Sequence, residues 1–436
     1  MLYSLISVPN LCWHGRDFLP CGVPAAGNPG WSAYNEIAGR FAVARRVGDT
    51  VVLARDALGL NKLFFAIHEH RGVVAGNYLA DLLANGVPFE AICAVPAGSV
   101  TEIAPQQRVL RSQRFHTLNR DASALSAALP TARRELEGCF EQLRQQFPTA
   151  RAAVCLSGGL DSALVAAIAR EHFPAITAYT YSYADGGGQS EDVRLAQQTA
   201  AHLRIPWRLA EAGPDDVLCA LRDAVLFGQD WRDFNAHCAI VNVLLADAMS
   251  QDAQRTPEAA GSLVLTGDLM NELLADYAPA RYHGKDYYTL PPVRPGALRR
   301  ALVRGIQAGD REVGVFQSRG LTVAQPYAAI FESMLSLPDT ATKPDVIRAL
   351  AGDRLPAAFY ERRKARAQIG DSEVRRGILP LLADSGRDTE WLERFACKLF
   401  GAPDQRSLRN FIRAGAYRSC PRFPERRCGR NGYLTL

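Results

Sequence analysis

The sequence predicts a protein of mixed α/β and α+β class, with an antiparallel β domain followed by a doubly wound parallel sheet and a helical C-terminal part. Short apolar runs separated by turns fill residues 40–100, which is typical of antiparallel strands. Strands alternate with helices over residues 151–209, which favours a parallel sheet. We place the domains at residues 1–120 and 121–436, because a 436-residue chain is long enough for two or three separate cores.

The composition limits the classes of function. Hydrophobic residues make up 48% of the chain and charged residues 22%, as in an ordinary globular protein. The net charge of +5 is too small to indicate nucleic-acid binding, and no apolar run reaches the roughly 18 residues that span a bilayer. The ten cysteines form no Cys-x-x-Cys pair and no zinc spacing. We therefore expect a cytoplasmic protein with reduced thiols that binds neither nucleic acid nor membrane.

Before residue 120 the pattern predicts a β-meander. A short helix is expected from Tyr78 to Asn85. The strand candidates are short runs rich in β-branched, aromatic and other apolar residues, at 41–44, 51–54, 62–67, 73–76 and 95–100. A further helix is expected from Pro130 to Gln146, with Pro130 in its first turn, where a missing N–H costs nothing.

The stretch around residue 157 carries the strongest functional signal. An apolar strand candidate ends at Ser157-Gly158-Gly159, and good helix formers begin at Ser162. The glycines allow the backbone to approach a ligand, and N–H groups at a helix start bind phosphate oxygens. Asp161 is placed to hold Mg²⁺ against those phosphates. An ordinary strand–loop–helix corner is the alternative. The candidate nucleotide-binding residues are Leu156, Ser157, Gly158, Gly159, Leu160, Asp161 and Ser162.

The string Ser-Gly-Gly-Leu-Asp-Ser at 157–162 resembles the pyrophosphate loop of the ATP-pyrophosphatase superfamily. The order of strands and helices around it resembles the synthetase domain of asparagine and β-lactam synthetases. The resemblance implies that ATP and Mg²⁺ activate a carboxylate as an acyl-adenylate with release of pyrophosphate, after which an amine attacks. It also implies that residues 180–183, among them Tyr181 and Ser182, lie near the nucleotide; ordinary packing at a strand end is the alternative for each.

A second segment, Thr266 to Glu272, follows an apolar strand and is similar to the family's Ser/Thr-Gly-Glu-Gly-Ser-Asp-Glu motif. The similarity implies that Gly267 binds the nucleotide and that Asp268 positions or deprotonates the amine. It places Asn271 where the family has a metal-binding aspartate, so that Asn271 would be a weaker, neutral ligand for which Glu272 could compensate. A helix-capping role for Asp268 stays open.

Three later segments complete the comparison. The basic run around Lys364 resembles the family's Arg-x-Lys segment, whose lysine reaches the pyrophosphate and the acyl-adenylate oxygen. Residues 281–304 are expected to form an irregular excursion, either over the acceptor pocket or in solvent. Asp310 and Glu312 fall near a glutamate of the β-lactam branch, but we expect both to be solvated. The basic stretch 418–430 is expected to be surface.

The N-terminal region resembles a shortened amidotransferase domain of the N-terminal-nucleophile type, through the turn at Arg55-Asp56 and the strand at Pro96-Ala97-Gly98. That glutaminase uses a cysteine at position 2, activated by its own amine. Leu2 stands there in this chain, so we expect no glutamine hydrolysis. Cys12 and Cys21 are not N-terminal and are interpreted as structural.

The resemblance therefore implies a ligase whose amine does not come from glutamine. Cyclising relatives, β-lactam synthetases and lasso-peptide macrolactam cyclases, behave in this way, and natural-product biosynthesis is the first expectation. Ammonia-dependent amidation and a non-catalytic scaffold are the alternatives. The substrate would be a small molecule or peptide that supplies the carboxylate and the amine. A homodimer and a partner protein of the same pathway both stay open.

Overall fold

The structure is a computed structural model that describes residues 1–22, 31–68, 70–106, 109–116, 125–184, 189–255, 263–277, 279–289, 295–301, 303, 310–362 and 377–413. Lys364 and the basic stretch at 418–430 lie outside the described residues. None of the helices within these ranges is long and apolar enough to cross a membrane.

The N-terminal region is built from short strands and one helix. They are β1 (Leu2–Leu5), β2 (Leu11–His14), β3 (Asp17–Phe18), β4 (Ile37–Arg40), β5 (Ala42–Val47), β6 (Thr50–Arg55), β7 (Phe64–His68), β8 (Gly72–Gly76), α1 (Leu79–Ala84), β9 (Cys93–Ala94), β10 (Ser99–Ala104) and β11 (Val109–Arg114). Pairing is antiparallel throughout, except that β1 lies parallel to β8. The predicted antiparallel character and the helix α1 are confirmed.

The strands form three sheets rather than one meander. Their orders are β1-β8-β7-β9, β11-β10-β6-β5 and β3-β2-β4. The first two sheets pack face to face through a buried core that includes Leu53 from β6 and Phe65 from β7. The opposite face of the second sheet packs on the third, for example through Val43 and Cys12. The second sheet is buried on both faces, so its strands need not alternate between apolar and polar residues. The sequence pattern therefore does not indicate which hairpins belong to the same sheet.

The C-terminal part is a parallel sheet with helices. Its elements are α2 (Leu125–Gln146), β12 (Arg151–Cys155), α3 (Leu160–His172), β13 (Ala175–Tyr183), α4 (Glu191–Leu203), β14 (Trp207–Ala212), α5 (Pro214–Gly228), α6 (Asp233–Arg255), β15 (Leu263–Leu265), α7 (Met270–Leu274), β16 (Ala280–Tyr282), β17 (Lys285–Tyr287), α8 (Pro295–Ala301), α9 (Asp310–Gln317), β18 (Thr322–Ala324), α10 (Phe331–Leu335), α11 (Lys343–Ala351), α12 (Ile378–Asp384), α13 (Thr389–Phe400) and α14 (Gln405–Arg413). The predicted mixed α/β architecture is confirmed.

The order of the parallel strands locates the functional edge of this sheet. Among the described strands the order is β14-β13-β12-β15-β18, and every neighbouring pair is parallel. The chain moves outward from β12 to β14 and then returns to β15 on the other side of β12. The direction therefore reverses between β12 and β15, and in open parallel sheets ligands bind in the crevice at such a reversal.

Two local predictions are wrong. Helix α2 begins at or before Leu125, so that Pro130 lies in its second turn rather than its first. The missing N–H is offset by the buried stripe that continues through Leu136 and Phe140. Within residues 281–304, β16 and β17 form an antiparallel hairpin instead of an irregular excursion. Both residues of its turn, His283 and Gly284, have positive φ, as a two-residue hairpin turn requires.

Candidate functional site

A cavity of about 650 Å³ opens at the reversal point of the sheet. Its walls come from the ends of β12, β13 and β15, from the facing helices α6 and α9, and from the start of α11. Most residues singled out from the sequence line it: Leu156, Ser157, Gly158, Gly159, Leu160, Asp161, Ser162, Tyr181, Gly267, Asp268 and Asn271. Ser182 does not, because alternation along β13 turns it away from the face that Tyr181 presents.

The loop after β12 is held by its own hydrogen bonds. The N–H of Ser157 donates to Ser162 Oγ at 3.0 Å, and the hydroxyl oxygens of Ser157 and Ser162 lie 2.9 Å apart. Gly158 N–H donates to Asp192 Oδ1 of α4 at 2.8 Å. The N-cap residue of α3 is Gly159, which has no side chain to cap the helix, so the N–H groups of the first turn can bind an anion.

Two glycines permit close contacts that any side chain would block. A Cβ at Gly158 would lie 2.8 Å from Leu195 Cβ and 2.9 Å from the carbonyl oxygen of Asp192. A Cβ at Gly267 would lie 2.8 Å from the backbone nitrogen of Ser162. The turn after β15 thus packs directly on the first turn of α3, which brings the two sequence motifs together.

A lysine that sequence reasoning missed lies at the centre of the phosphate side. Lys343 Nζ lies 2.7 Å from Asp161 Oδ2 and 2.9 Å from Asp276 Oδ2, and it also donates to Asn271 Oδ1. Burial acts to lower the pKa of Lys343, but Asp161 and Asp276 outweigh it and raise the pKa. Thr342 is a helix-capping residue and predicts that a helix begins at Lys343. The sequence around Lys343, however, contains no signal that this lysine contacts residues 161 and 271.

The same oxygen atoms suit a Mg²⁺ ion. Asp161 Oδ1 is buried and has no hydrogen-bond partner among the described residues. Together with Asp276 and the amide oxygen of Asn271, it offers the oxygen donors that Mg²⁺ prefers. The described part of the chain contains no cluster of three or more His, Cys, Asp or Glu that could hold a metal. The oxygens would therefore need phosphate oxygens and water to complete the shell.

The opposite side of the cavity contains a buried cluster of charges. Arg311 Nη2 of α9 lies 2.7 Å from Asp268 Oδ2, and Arg311 Nη1 donates to Asn235 Oδ1 at 3.1 Å. Thr266 Oγ1 donates to Glu312 Oε1 at 2.7 Å. Glu272 accepts a hydrogen bond from the hydroxyl of Tyr277 at 2.5 Å. It does not line the cavity beside the candidate Mg²⁺ ligands Asp161, Asn271 and Asp276. Arg311 thus contacts one carboxylate, Asp268, and lies within electrostatic range of two more, Glu312 and Glu272.

Burial makes two of these carboxyl groups weak acids. Desolvation and the neighbouring charge of Asp268 raise the pKa of Glu272 to about 7, although Arg311 opposes the shift. The same causes raise the pKa of Glu312 well above its usual value. The expectation that Glu312 is solvated is wrong, since only 1% of the residue is exposed. The expectation for Asp310 is also wrong, because Asp310 Oδ2 lies 3.0 Å from Lys62 Nζ.

An apolar wall lines the remaining side of the cavity. Phe234, Cys238, Val241 and Leu245 project from one side of α6, and Tyr277 faces Phe234 edge-on with ring centroids 4.9 Å apart. Besides Asp161 Oδ1, the lining contains buried polar atoms with no hydrogen-bond partner in the described part of the molecule, among them Asn242 Oδ1 and the hydroxyls of Tyr181 and Tyr360. The cavity therefore offers apolar surface with a few polar groups that a ligand can pair.

Residues 131–310 match the model of the asparagine synthase family. No curated protein sequence matches the chain significantly. Among solved structures, it is similar to NMN synthetase from Francisella tularensis, at 13% identity and a TM-score of 0.30, over 69% of this chain and 98% of that one. It is also similar to glutamine-dependent NAD⁺ synthetase from Acinetobacter baumannii, at 18% identity and a TM-score of 0.30, over 70% of this chain and 49% of that one. At such TM-scores these likenesses bear on neither activity nor substrate.

Proposed function

We propose that the chain is an ATP-dependent carbon–nitrogen ligase of the asparagine-synthetase-like type, because residues 131–310 match the model of the asparagine synthase family. It would adenylate a substrate carboxylate with release of pyrophosphate and then join the carboxyl group to an amine. One observation carries the proposal: the phosphate loop, a buried lysine and a buried acid cluster line a single cavity at the reversal point of the sheet.

The phosphate side of the cavity supports ATP binding. The hydroxyls of Ser157 and Ser162 and the N–H groups of the first turn of α3 would hold the pyrophosphate group, and Gly158 and Gly159 would let it approach the backbone. Leu156, Leu160, Tyr181 and Gly267 are proposed to surround the rest of the nucleotide, and Ser182 is not, because it does not line the cavity. Lys343 has a buried positive charge beside the same loop and would neutralise charge as the α–β bond breaks. Lys364 is proposed to add a second positive charge at the acyl-adenylate oxygen.

Asp161, Asp276 and Asn271 would hold Mg²⁺. When bound, the ion supplies positive charge that offsets the charge of the phosphate oxygens. Lys343 would then give up Asp161 and Asp276 and pair with phosphate instead. The cavity can accommodate this exchange because Lys343 lines it alongside both acids.

The acid cluster supports the amide-forming step. An attacking ammonium must lose a proton, and Asp268 and Glu312 both line the cavity. Asp268 already pairs with Arg311, so a proton placed on Asp268 would break that ion pair. Glu312 instead accepts a hydrogen bond from the neutral hydroxyl of Thr266, so a proton placed on Glu312 would not break an ion pair of that kind. We therefore propose that Asp268 orients the amine and that Glu312 accepts its proton.

The amine is proposed to come from the substrate itself. Leu2 occupies the position of the family's nucleophilic cysteine. It is an ordinary residue of strand β1 and pairs with Val73 of β8. An intramolecular cyclisation in natural-product biosynthesis, on a small molecule or a peptide, fits such a ligase. Ammonia-dependent amidation is the second candidate, since Asp268 is an acid as in the asparagine synthetase branch.

The first test is the identity of the co-products. With a candidate substrate, we expect AMP and pyrophosphate, and Asp161→Asn should slow their release by about 10²–10³-fold, as is typical for loss of one charge-stabilising group. Asp286→Asn is the matched control, because Asp286 is an exposed residue of β17 away from the cavity. Formation of ADP and orthophosphate by the wild-type protein would contradict adenylation.

The second test concerns nitrogen. We expect glutamate release from glutamine to equal the blank, with or without ATP, because Leu2 cannot act as a nucleophile. Mass spectrometry of the product then separates the two candidate functions. Loss of one water without gain of nitrogen indicates cyclisation, whereas incorporation of ¹⁵N from labelled ammonium indicates amidation.

A further inference from the structure

The N-terminal region contacts α9 through a nearly buried group of charges. Lys62 Nζ lies 3.0 Å from Asp310 Oδ2, and Arg55 Nη2 lies 3.6 Å from the same oxygen. Only 10%, 11% and 18% of the side chains of Lys62, Arg55 and Asp310 are exposed. Lys62 and Arg55 belong to the β-sheet region before residue 120, whereas Asp310 is the first residue of α9 in the synthetase-like half.

Asp310 directly precedes the two charged residues of α9 that line the cavity. Arg311 pairs with Asp268, and Glu312 accepts from Thr266. The first turn of α9 therefore contains Asp310, which the N-terminal region holds, and also Arg311 and Glu312, which line the cavity. Because a helix turn moves as a unit, the position of Asp310 determines where Arg311 and Glu312 lie.

Other contacts of the N-terminal region hold the same unit. Tyr78 hydroxyl donates to the carbonyl oxygen of Gly314 in α9 at 2.9 Å. Gln229, at the end of α5, donates to the carbonyl oxygen of Asn77 at 2.9 Å and accepts from Leu79 N–H at 2.7 Å. A Cβ at Gly314 would lie 2.2 Å from the carbonyl oxygen of Phe227, so α9 also packs closely on α5.

A second chain of hydrogen bonds leads from that contact to Arg311. The residue after Gln229 is Asp230, whose Oδ2 accepts from Asn235 Nδ2 at 2.9 Å. Asn235 Oδ1 in turn accepts from Arg311 Nη1 at 3.1 Å. Two sets of contacts therefore connect the N-terminal region to Arg311. One passes through Asp310, and the other passes through Gln229, Asp230 and Asn235.

We infer that the N-terminal region, without glutaminase chemistry, positions Arg311 and Glu312 for amide formation by holding Asp310 between Lys62 and Arg55. This inference rests on the proposed ligase function. Asp310 is a positioning residue, since it does not line the cavity. Buried ion pairs contribute little to stability compared with apolar side chains of the same size, so such a pair is better explained by the geometry it imposes.

The test compares the two half-reactions in the full-length protein. Pyrophosphate–ATP exchange reports adenylation, and product formation reports the amide step. We expect Asp310→Asn to leave exchange within about twofold of the wild type and to slow amide formation by about 10²-fold, the effect typical of a displacement near 1 Å. The pH profile of amide formation should also change, because Glu312 would lie at a different distance from Arg311. A purely structural role would lower both half-reactions in parallel.

The chain offers a matched control and a second variant. Asp223→Asn breaks an ion pair of 2.8 Å with Arg319, just past the other end of α9 and within the synthetase-like half. It should leave both half-reactions unchanged. Lys62→Met and Asp310→Asn each break the same ion pair, so the loss in the double variant should be smaller than the sum of the two single losses.

Three outcomes would overturn the inference. Amide formation in Asp310→Asn equal to that of Asp223→Asn would show that Asp310 positions nothing. Parallel loss of exchange and amide formation would make Asp310 a structural residue of the whole domain, and additive losses in the double variant would exclude coupling through Lys62. Absence of exchange in the wild-type protein would instead contradict the proposed ligase function itself.

Discussion

At the scale of single residues, Asp192 shows how a buried acid can hold a ligand loop. Its Oδ1 accepts from Gly158 N–H at 2.8 Å, and only 5% of the residue is exposed. Burial raises the pKa of Asp192 from 3.8 to about 6, although the hydrogen bond from Gly158 opposes the shift. The ionised form of Asp192 is therefore disfavoured in the folded protein while it anchors α4 to the loop.

This shift predicts a pH-dependent stability. The folded state binds the proton of Asp192 more tightly than the unfolded state, so this contribution is fully present below pH 3.8 and is lost as the pH rises through about 6. The loss amounts to about 3 kcal/mol. Asp192→Asn keeps the acceptor for Gly158 but does not titrate. Urea unfolding from pH 4 to 8 should show the variant gaining stability over the wild type up to about pH 6, and parallel curves would contradict the assignment.

At the scale of the strand–loop–helix element, the two loop glycines have different roles. A Cβ at Gly158 would meet the backbone oxygen of Asp192 at 2.9 Å, and a backbone atom cannot move without its helix. A Cβ at Gly159 would meet only the side-chain oxygen of Ser157, at 3.3 Å. Neither glycine has a positive φ, so the difference is one of packing alone.

We expect Gly158→Ala to lower pyrophosphate–ATP exchange by about tenfold or more, because overpacking costs about 1–3 kcal/mol and would move α4 away from the loop. Gly159→Ala should stay within a few-fold of the wild type, since the Ser157 hydroxyl can rotate. The two variants form a matched pair that adds one methyl group to each position. Equal effects would show that the close contact with Asp192 does not matter to nucleotide use.

The same element shows what the sequence could and could not predict. The motif at 157–162 is contiguous, so its strand, loop and helix start followed from local pattern and glycine chemistry. Lys343 and Arg311 come from distant parts of the chain, and only the order of strands brings them to the loop. The sequence predicts an exposed Glu312, because charged residues rarely lie buried without a partner. Its partner Thr266 is 46 residues away in the chain, so the local pattern does not indicate the contact.

At the scale of the whole molecule, Arg40 links the two halves. It is 4% exposed, and its guanidinium donates to the carbonyl oxygen of Val323 in β18 at 3.0 and 3.2 Å. It also donates to Pro9 and Asn61 in the N-terminal region, at 2.7 and 2.6 Å. Burial lowers the pKa of Arg40 to about 10, although Asp56 opposes the shift. One continuous apolar core runs through both halves, so we expect them to unfold together.

Arg40→Met tests this expectation. The variant removes every hydrogen bond of the guanidinium and takes its donor from the carbonyl oxygen of the buried Val323, at about 1–3 kcal/mol, whereas the carbonyl oxygen of Pro9 keeps Asn61 Nδ2 as a donor. Calorimetry should show a single transition for the wild type and a single transition lowered by several degrees for the variant, because both halves lose the shared contact. Arg46→Met is the control, since Arg46 is an exposed residue of β5 and its ion pair with Asp49 is also exposed. Two separate transitions, of which only one moves in Arg40→Met, would show that the halves are independent, and the N-terminal region could then not hold α9 in place.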